Sequence, residues 1–193
     1  MTRADKRRQI LRAAERLFVT HRYDEVTLDE VSRTARVGKG TIYRYFADKE
    51  DLYAQMVLQG QIDLIEAVRT AAAKPKPADV KLAGVVRIAG RLFRKRQGRV
   101  QAAQAADSRR MVHNGKLHAE MAGKRRELVG VLADIIRQGV GEGMFRSDVP
   151  PDAGAVMFLG MMRAMLWAGR AEQAPAMSLD RMAGVFLDGM RKG

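Results

Sequence analysis

The chain of 193 residues contains no cysteine. This excludes a disulfide framework, a thiolate nucleophile and any Cys-based zinc site, and it suits a reducing, cytoplasmic compartment. Aromatic residues are scarce, and all four tyrosines (Tyr23, Tyr43, Tyr45, Tyr53) precede residue 54. The longest near-apolar run, Ala153 to Met162, is stopped by Arg163. It falls short of the ~20 residues needed to span a bilayer, so no membrane insertion is expected. The segment Met1 to Arg12 is charged and has no apolar signal-peptide core. His113 and His118 are five apart rather than four, and His21 is isolated, so neither a metal nor another cofactor is expected. Gly139, Gly141 and Gly143 follow no strand and precede no Lys-Ser or Lys-Thr pair; they read as a helix end rather than a phosphate loop. With no Ser-His-Asp order and no paired carboxylates, the chain does not read as an enzyme.

What is abundant is positive charge: 35 Lys and Arg against 22 Asp and Glu, net +13. An acidic partner is therefore the first question. Hydrophobic residues at 47% nevertheless argue for a folded core. Their spacing is helical. Ile10, Ala14, Leu17 and Phe18 fall on one face, as do Leu82, Val85, Val86, Ala89, Leu92 and Phe93, and again Leu128, Val131, Leu132, Ile135 and Ile136. Breaks fall at Lys74-Pro75-Lys76-Pro77, at Gly139 to Gly143 with Pro150-Pro151, and at Gly169 to Pro175. The pattern predicts an all-α fold of about nine helices.

The first fifty residues carry the sharpest pattern. Thr27-Leu28-Asp29-Glu30 is a capping box that starts a short helix to about Ala35. Arg36-Val37-Gly38 makes a tight turn, and a second short helix runs from about Lys39 to Phe46. Asp48 caps a longer helix to about Ala73, with Glu50 and Asp51 in its first turn, where the helix dipole favours acids. Two short helices joined by a tight turn and braced by a preceding helix make a helix-turn-helix. On the second helix Lys39, Thr41 and Arg44 suit base edges and Gly40 leaves the backbone bare for close approach. Tyr43, Tyr45 and Lys49 suit phosphates. Ile42 and Phe46 point the other way, towards Val31, Val37 and Leu17. Taken singly each of these residues has a structural explanation; their joint spacing favours DNA binding.

The segment Ala14-Glu15-Arg16-Leu17-Phe18, Tyr23, Thr27 to Val31 and Val37 to Leu52 closely resembles the DNA-binding domain of TetR/AcrR-family regulators. The likeness covers about Lys6 to Met56. It implies an N-terminal three-helix DNA-binding domain, residues 1–50, and a C-terminal helical ligand-binding and dimerisation domain, residues 51–193. It also implies a homodimeric repressor, released from a palindromic double-stranded operator by a small-molecule inducer. Three departures stand out. Arg22 precedes Tyr23 where members often carry Gly. Arg36 takes a turn position where members often carry Gly, and Gly38 stands where they often carry a Ser cap. The DNA contacts expected on these grounds are Thr27, Arg36, Lys39, Gly40, Thr41, Tyr43, Arg44, Tyr45 and Lys49.

Beyond residue 50 no motif has comparable strength. The resemblance implies that helices near 118–142 and 152–170 pair with their dimer mates. The expected interface residues are Leu128, Leu132, Ile135, Ile136, Met157, Met161, Ala164 and Met165, with ordinary intrachain packing as the alternative. Candidate pocket residues are Phe93, Met111, Met121, Phe158, Met162 and Trp167, each also explicable as core. The lack of tyrosine there predicts a largely apolar pocket for a hydrophobic or amphipathic inducer.

The alternative function is a non-specific, charge-driven binder of nucleic acid or membrane surfaces. Charge alone does not decide between them. Residues 1–57 hold 12 basic and 9 acidic residues, whereas residues 81–126 hold 13 and 2. Part of that excess, Arg87, Arg91, Arg94 and Lys95, falls on one helix face, opposite an apolar stripe. Such a face is most often simply solvated.

Overall fold

The computed structural model describes residues 2–95, 115–168 and 177–192, with the side chains of residues 93–95, 115–118 and 166–168 outside that description. Among the described residues the chain is all-α, with eight helices. They are α1 (Arg3–Thr20), α2 (Leu28–Thr34), α3 (Lys39–Tyr43), α4 (Lys49–Ala72), α5 (Ala78–Lys95), α6 (Gly115–Gly141), α7 (Pro151–Ala168) and α8 (Leu179–Met190), with a 3-10 turn over Tyr23–Glu25. Two compact units result: Met1–Ile62 with Lys95–Ala122, and Asp63–Arg94 with Gly123–Gly193.

In the first unit, α1 begins earlier than its apolar stripe. Thr2 and Asp5 form a capping box, with the Asp5 N–H donating to Thr2 Oγ1 at 3.1 Å and the Thr2 N–H donating to the Asp5 carboxylate at 2.9 Å. The Thr2 N–H and then the Thr2 hydroxyl hold the Asp5 carboxyl below its ordinary pKa. Periodicity misses this turn because Arg3 to Gln9 has no apolar stripe. From Ile10 onward the stripe is buried: Ile10, Leu11, Ala14 and Phe18 meet Val26, Leu28, Val31, Ile42, Phe46, Leu52 and Tyr53. Phe18, Tyr23 and Tyr53 form a three-ring cluster with centroids 5.0–5.7 Å apart. Arg7 donates to Gln55, which donates to Asp51, so the start of α4 is tied to α1. Separately, Ala54, Leu58 and Ile62 of α4 pack with Met121 of α6.

In the second unit, α5 and α6 run antiparallel. Ala78 donates its N–H to Glu142 at 3.2 Å and Lys81 donates to Gln138 at 2.7 Å. Leu82, Val85, Val86 and Ala89 face Leu128, Leu132, Ile135 and Ile136 in one core with Phe145, Phe158, Met162, Met182, Phe186 and Met190. Pro75 and Pro77 separate α4 from α5. Pro151 opens α7, where its missing N–H is one the helix would leave unpaired anyway.

Leu128, Leu132, Ile135 and Ile136, expected at a dimer surface, are enclosed in their own chain's core at 7%, 0%, 3% and 0% exposure. The alternative of intrachain packing describes them. Among the described residues the large exposed apolar side chains of this unit lie elsewhere, at Val80 on α5, Val156 and Met157 on α7 and Val185 on α8. Ala164 is exposed as well, and Met161 and Met165 are half-buried.

The end of α6 depends on two glycines. Gly143 adopts φ 70, the left-handed conformation that closes many helices. Gly139 lies under the Phe145 ring: a Cβ there would overlap the ring and sit 2.9 Å from the Ala78 Cβ. Phe145 is itself 2% exposed, so the ring has little room to retreat. Gly139→Ala is therefore expected to destabilise the protein by about 1–3 kcal/mol through overpacking, read as a lowered chemical denaturation midpoint. Gly141→Ala, where nothing lies within 4 Å, is expected to leave it nearly unchanged.

Candidate nucleic-acid interface

The site is built from α2, the turn after it, and α3. Thr27 caps α2: its hydroxyl accepts from the Glu30 N–H at 3.2 Å and donates to the Glu30 carboxylate at 3.0 Å. Glu30 in turn accepts from the Thr27 N–H at 2.9 Å. The Thr27 backbone and then its hydroxyl hold the Glu30 carboxyl below the usual range. Ser32, buried, donates its hydroxyl to the Asp29 carbonyl. The turn is closed by the Arg36 N–H on Arg33 O and the Val37 N–H on Ser32 O, both at 3.0 Å. Gln9 of α1 donates to Ala35 O at 2.6 Å and pins the turn to the first helix.

Arg36 adopts φ 53, the left-handed region that a side chain enters at a cost. Its side chain is exposed. The turn position is thus conformationally demanding, and arginine occupies it.

α3 has five residues and orients its faces by burial. Ile42, at 0% exposure, and Phe46, at 1%, enter the core. Lys39, Gly40, Tyr43 and Arg44 are left on an exposed arc, with Thr41 and Tyr45 half-buried beside it. The helix is shorter than Lys39 to Phe46: Tyr45 and Phe46 both bond back to Ile42 O in a turn that carries Phe46 inward. A Cβ on Gly40 would meet nothing within 4 Å, so no intrachain packing requires glycine there. Arg44 makes no ion pair among the described residues.

Three of the expected contacts are already engaged within the chain. Lys39 pairs with Asp29 at 2.8 Å; that hydrogen bond and charge raise the Lys39 pKa. Lys49 donates to Tyr23 O at 3.1 Å and lies 4.5 Å over the Tyr23 ring, bracing the link between α1 and α2. The Thr27 hydroxyl is occupied by its cap. The arc that is free to meet a partner therefore centres on Gly40, Tyr43 and Arg44.

In the second unit a cleft of about 440 Å³ lies among α4, α5 and α6. On its wall Arg69 pairs with Glu127 at 2.7 Å, and Glu127 also takes Lys124 at 2.8 Å, beside Val131 and Ile135. Lys124 and then Arg69 keep the Glu127 carboxyl below its ordinary pKa. None of the expected pocket residues lines this cleft. Phe158 and Met162 belong to the closed core, and Met121 packs on α4. The side chains of Phe93, Met111 and Trp167 lie outside the described residues. On α5, Arg87 and Arg91 are exposed, and the side chains of Arg94 and Lys95 are not described. Among the described residues no His, Asp and Glu cluster could hold a metal, and no helix is long and apolar enough to cross a membrane.

A short, core-anchored helix presenting an arc with a free arginine, after a tight turn, defines a helix-turn-helix DNA-binding domain. Residues 10–56 match the family described as bacterial regulatory proteins, tetR family. A transcriptional regulator of Bacillus subtilis, YhgD, is 42% identical over 52 residues, 27% of each chain. The regulator HbdR of an Aromatoleum species is 37% identical over 62 residues, 32% of this chain and 27% of that one. The match thus spans about a quarter of the length of these curated relatives. The solved regulatory protein TetR of Rhodobacter sphaeroides superposes with a TM-score of 0.76 at 20% identity, over 95% of this chain and 97% of that one. The chain carries the DNA-binding domain of the tetR family of transcriptional regulators and has the all-α fold of that family. That family is not one of enzymes.

Replacing Arg36 by Gly relieves a left-handed cost of about 1–2 kcal/mol and adds unfolded-state entropy worth about 0.5–1 kcal/mol. Arg36→Gly is therefore expected to raise stability by up to about 1 kcal/mol, read from urea denaturation of the full chain.

Proposed function

We propose that the protein is a homodimeric, ligand-responsive repressor, acting in the cytoplasm, that a small hydrophobic or amphipathic inducer releases from a palindromic operator. The observation that carries the DNA-binding part is the exposed arc of α3 set opposite the buried Ile42. Two such helices would enter successive major grooves ~34–36 Å apart. Arg44 and Lys39 address base edges, and Gly40 lets the backbone approach. Thr41, Tyr43 and Tyr45 meet sugar or phosphate, as do Thr27, Arg36 and Lys49 at the flanks. Lys39 exchanges its Asp29 partner for DNA on binding.

Dimerisation is assigned to the exposed stripe of α7, Val156, Met157 and Ala164, with the exposed Val185 of α8 as a further contact. Small and flexible side chains allow two copies to approach closely. The inducer would favour a state whose two recognition helices no longer match the groove spacing, so that operator affinity falls by population shift. Its apolar character is supported by the aliphatic and methionine-rich composition of the second unit. Phe158 and Met162 can reach a ligand only if the packing around them opens.

Selection of duplexes from a random pool is expected to enrich an inverted repeat, protected as two half-sites in a footprint. No enrichment at moderate salt would overturn the DNA-binding reading. On the enriched site, Arg44→Ala is expected to cost about 1–3 kcal/mol of discrimination at one base position per half-site. Met157→Glu is expected to shift sedimentation from dimer to monomer and to abolish two-half-site protection. A variant that remains dimeric would remove α7 from the interface.

A further inference from the structure

One contact in the first unit serves neither α1 nor the hydrophobic core. The Arg3 guanidinium lies 5.9 Å from the centre of the Tyr45 ring, in the range of a cation–π contact. Arg3 is exposed, in the first turn of α1. A cation is disfavoured there by the helix dipole, so α1 gains nothing from it. Tyr45 is held from beneath: it packs on the core and its N–H bonds Ile42 O at 3.0 Å. A cation–π contact uses the charge of a guanidinium and does not consume its N–H donors, which match phosphate oxygens. Its neighbour Arg7 differs, since its Nε and Nη2 both donate to Gln55.

We infer that Arg3 is a DNA-backbone contact supplied by α1, held near the Tyr45 ring so that its N–H groups meet a phosphate flanking the one reached by the end of α3. The inference rests on the DNA-binding reading above. Arg3 positions the protein on the duplex and reads no base, because a phosphate carries no sequence information. Phosphate contacts are counted by salt: each one removed lowers the slope of log affinity against log salt by about 0.9.

The test uses the full chain and a mixed-sequence duplex, so no operator is needed. Arg3→Ala is expected to reduce the slope by about 0.9 per protomer, about 1.8 for a dimer engaging both heads, and Arg3→Lys to retain it, because the charge is kept. Both variants are expected to melt within a degree or two of the parent, as exposed substitutions generally do. A parent protein that binds no duplex, mixed or selected, overturns the DNA-binding reading itself. A parent that binds while Arg3→Ala keeps the full slope overturns the inference alone. In that case a lowered melting temperature for Arg3→Ala would identify Arg3 as a brace for Tyr45.

Discussion

Burial of Ile42 and Phe46 is the constraint on which the DNA-reading surface depends. A five-residue helix has no stability of its own, since isolated helices shorter than ~12–15 residues are marginal in water. α3 exists because Ile42, fully buried, fixes its rotation, and Phe46 pulls the following turn into the same core. Once these are placed, Lys39, Gly40, Tyr43 and Arg44 have no direction but outward. The ring cluster of Phe18, Tyr23 and Tyr53 then holds α1 and α4 around that core. The same aromatic ring that anchors this cluster, Tyr23, takes the Lys49 ammonium on its face. Packing and surface chemistry are thus connected through single side chains.

Charge is distributed with more restraint than the net +13 implies. At the reading surface Asp29 neutralises Lys39, and the caps place Asp5, Glu30 and Asp51 at helix starts, where they satisfy N–H groups. In the second unit Glu127 takes both Arg69 and Lys124. Two cations of the first unit are set beside the reading surface: Arg44 beyond the end of α3 and Arg3 near the Tyr45 ring. The exposed Arg87 and Arg91 lie on α5 opposite its buried stripe, as a solvated amphipathic helix face does.

The helix-turn-helix was legible because its rules are local. A capping box spans four residues, a tight turn three, and a buried i, i+4 pair five, so each is written in adjacent letters. The proline breaks and the α5 stripe were legible for the same reason. Other features were not. Thr2 and Asp5 start α1, but the polar run after them has no periodicity to show a helix. Lys49 reads as a free cation until the fold brings Tyr23 beneath it from 26 positions away. The apolar residues of α6 and α7 look alike in sequence. Only packing distinguishes Leu132 and Ile136, enclosed in their own chain, from Val156 and Met157, which are exposed.

The sequence alone therefore determined the all-α class, the order of the helices near the N-terminus and the residues of the exposed arc, since short-range periodicity and capping dictate them. Tertiary structure decided which cations are engaged and which apolar faces are covered. It set Lys39 against Asp29, placed Arg3 over Tyr45, and put Phe145 where Gly139 must lack a side chain. The reason is physical: such contacts join residues far apart in the chain. Their existence depends on the angles and distances between packed helices, which no local pattern encodes.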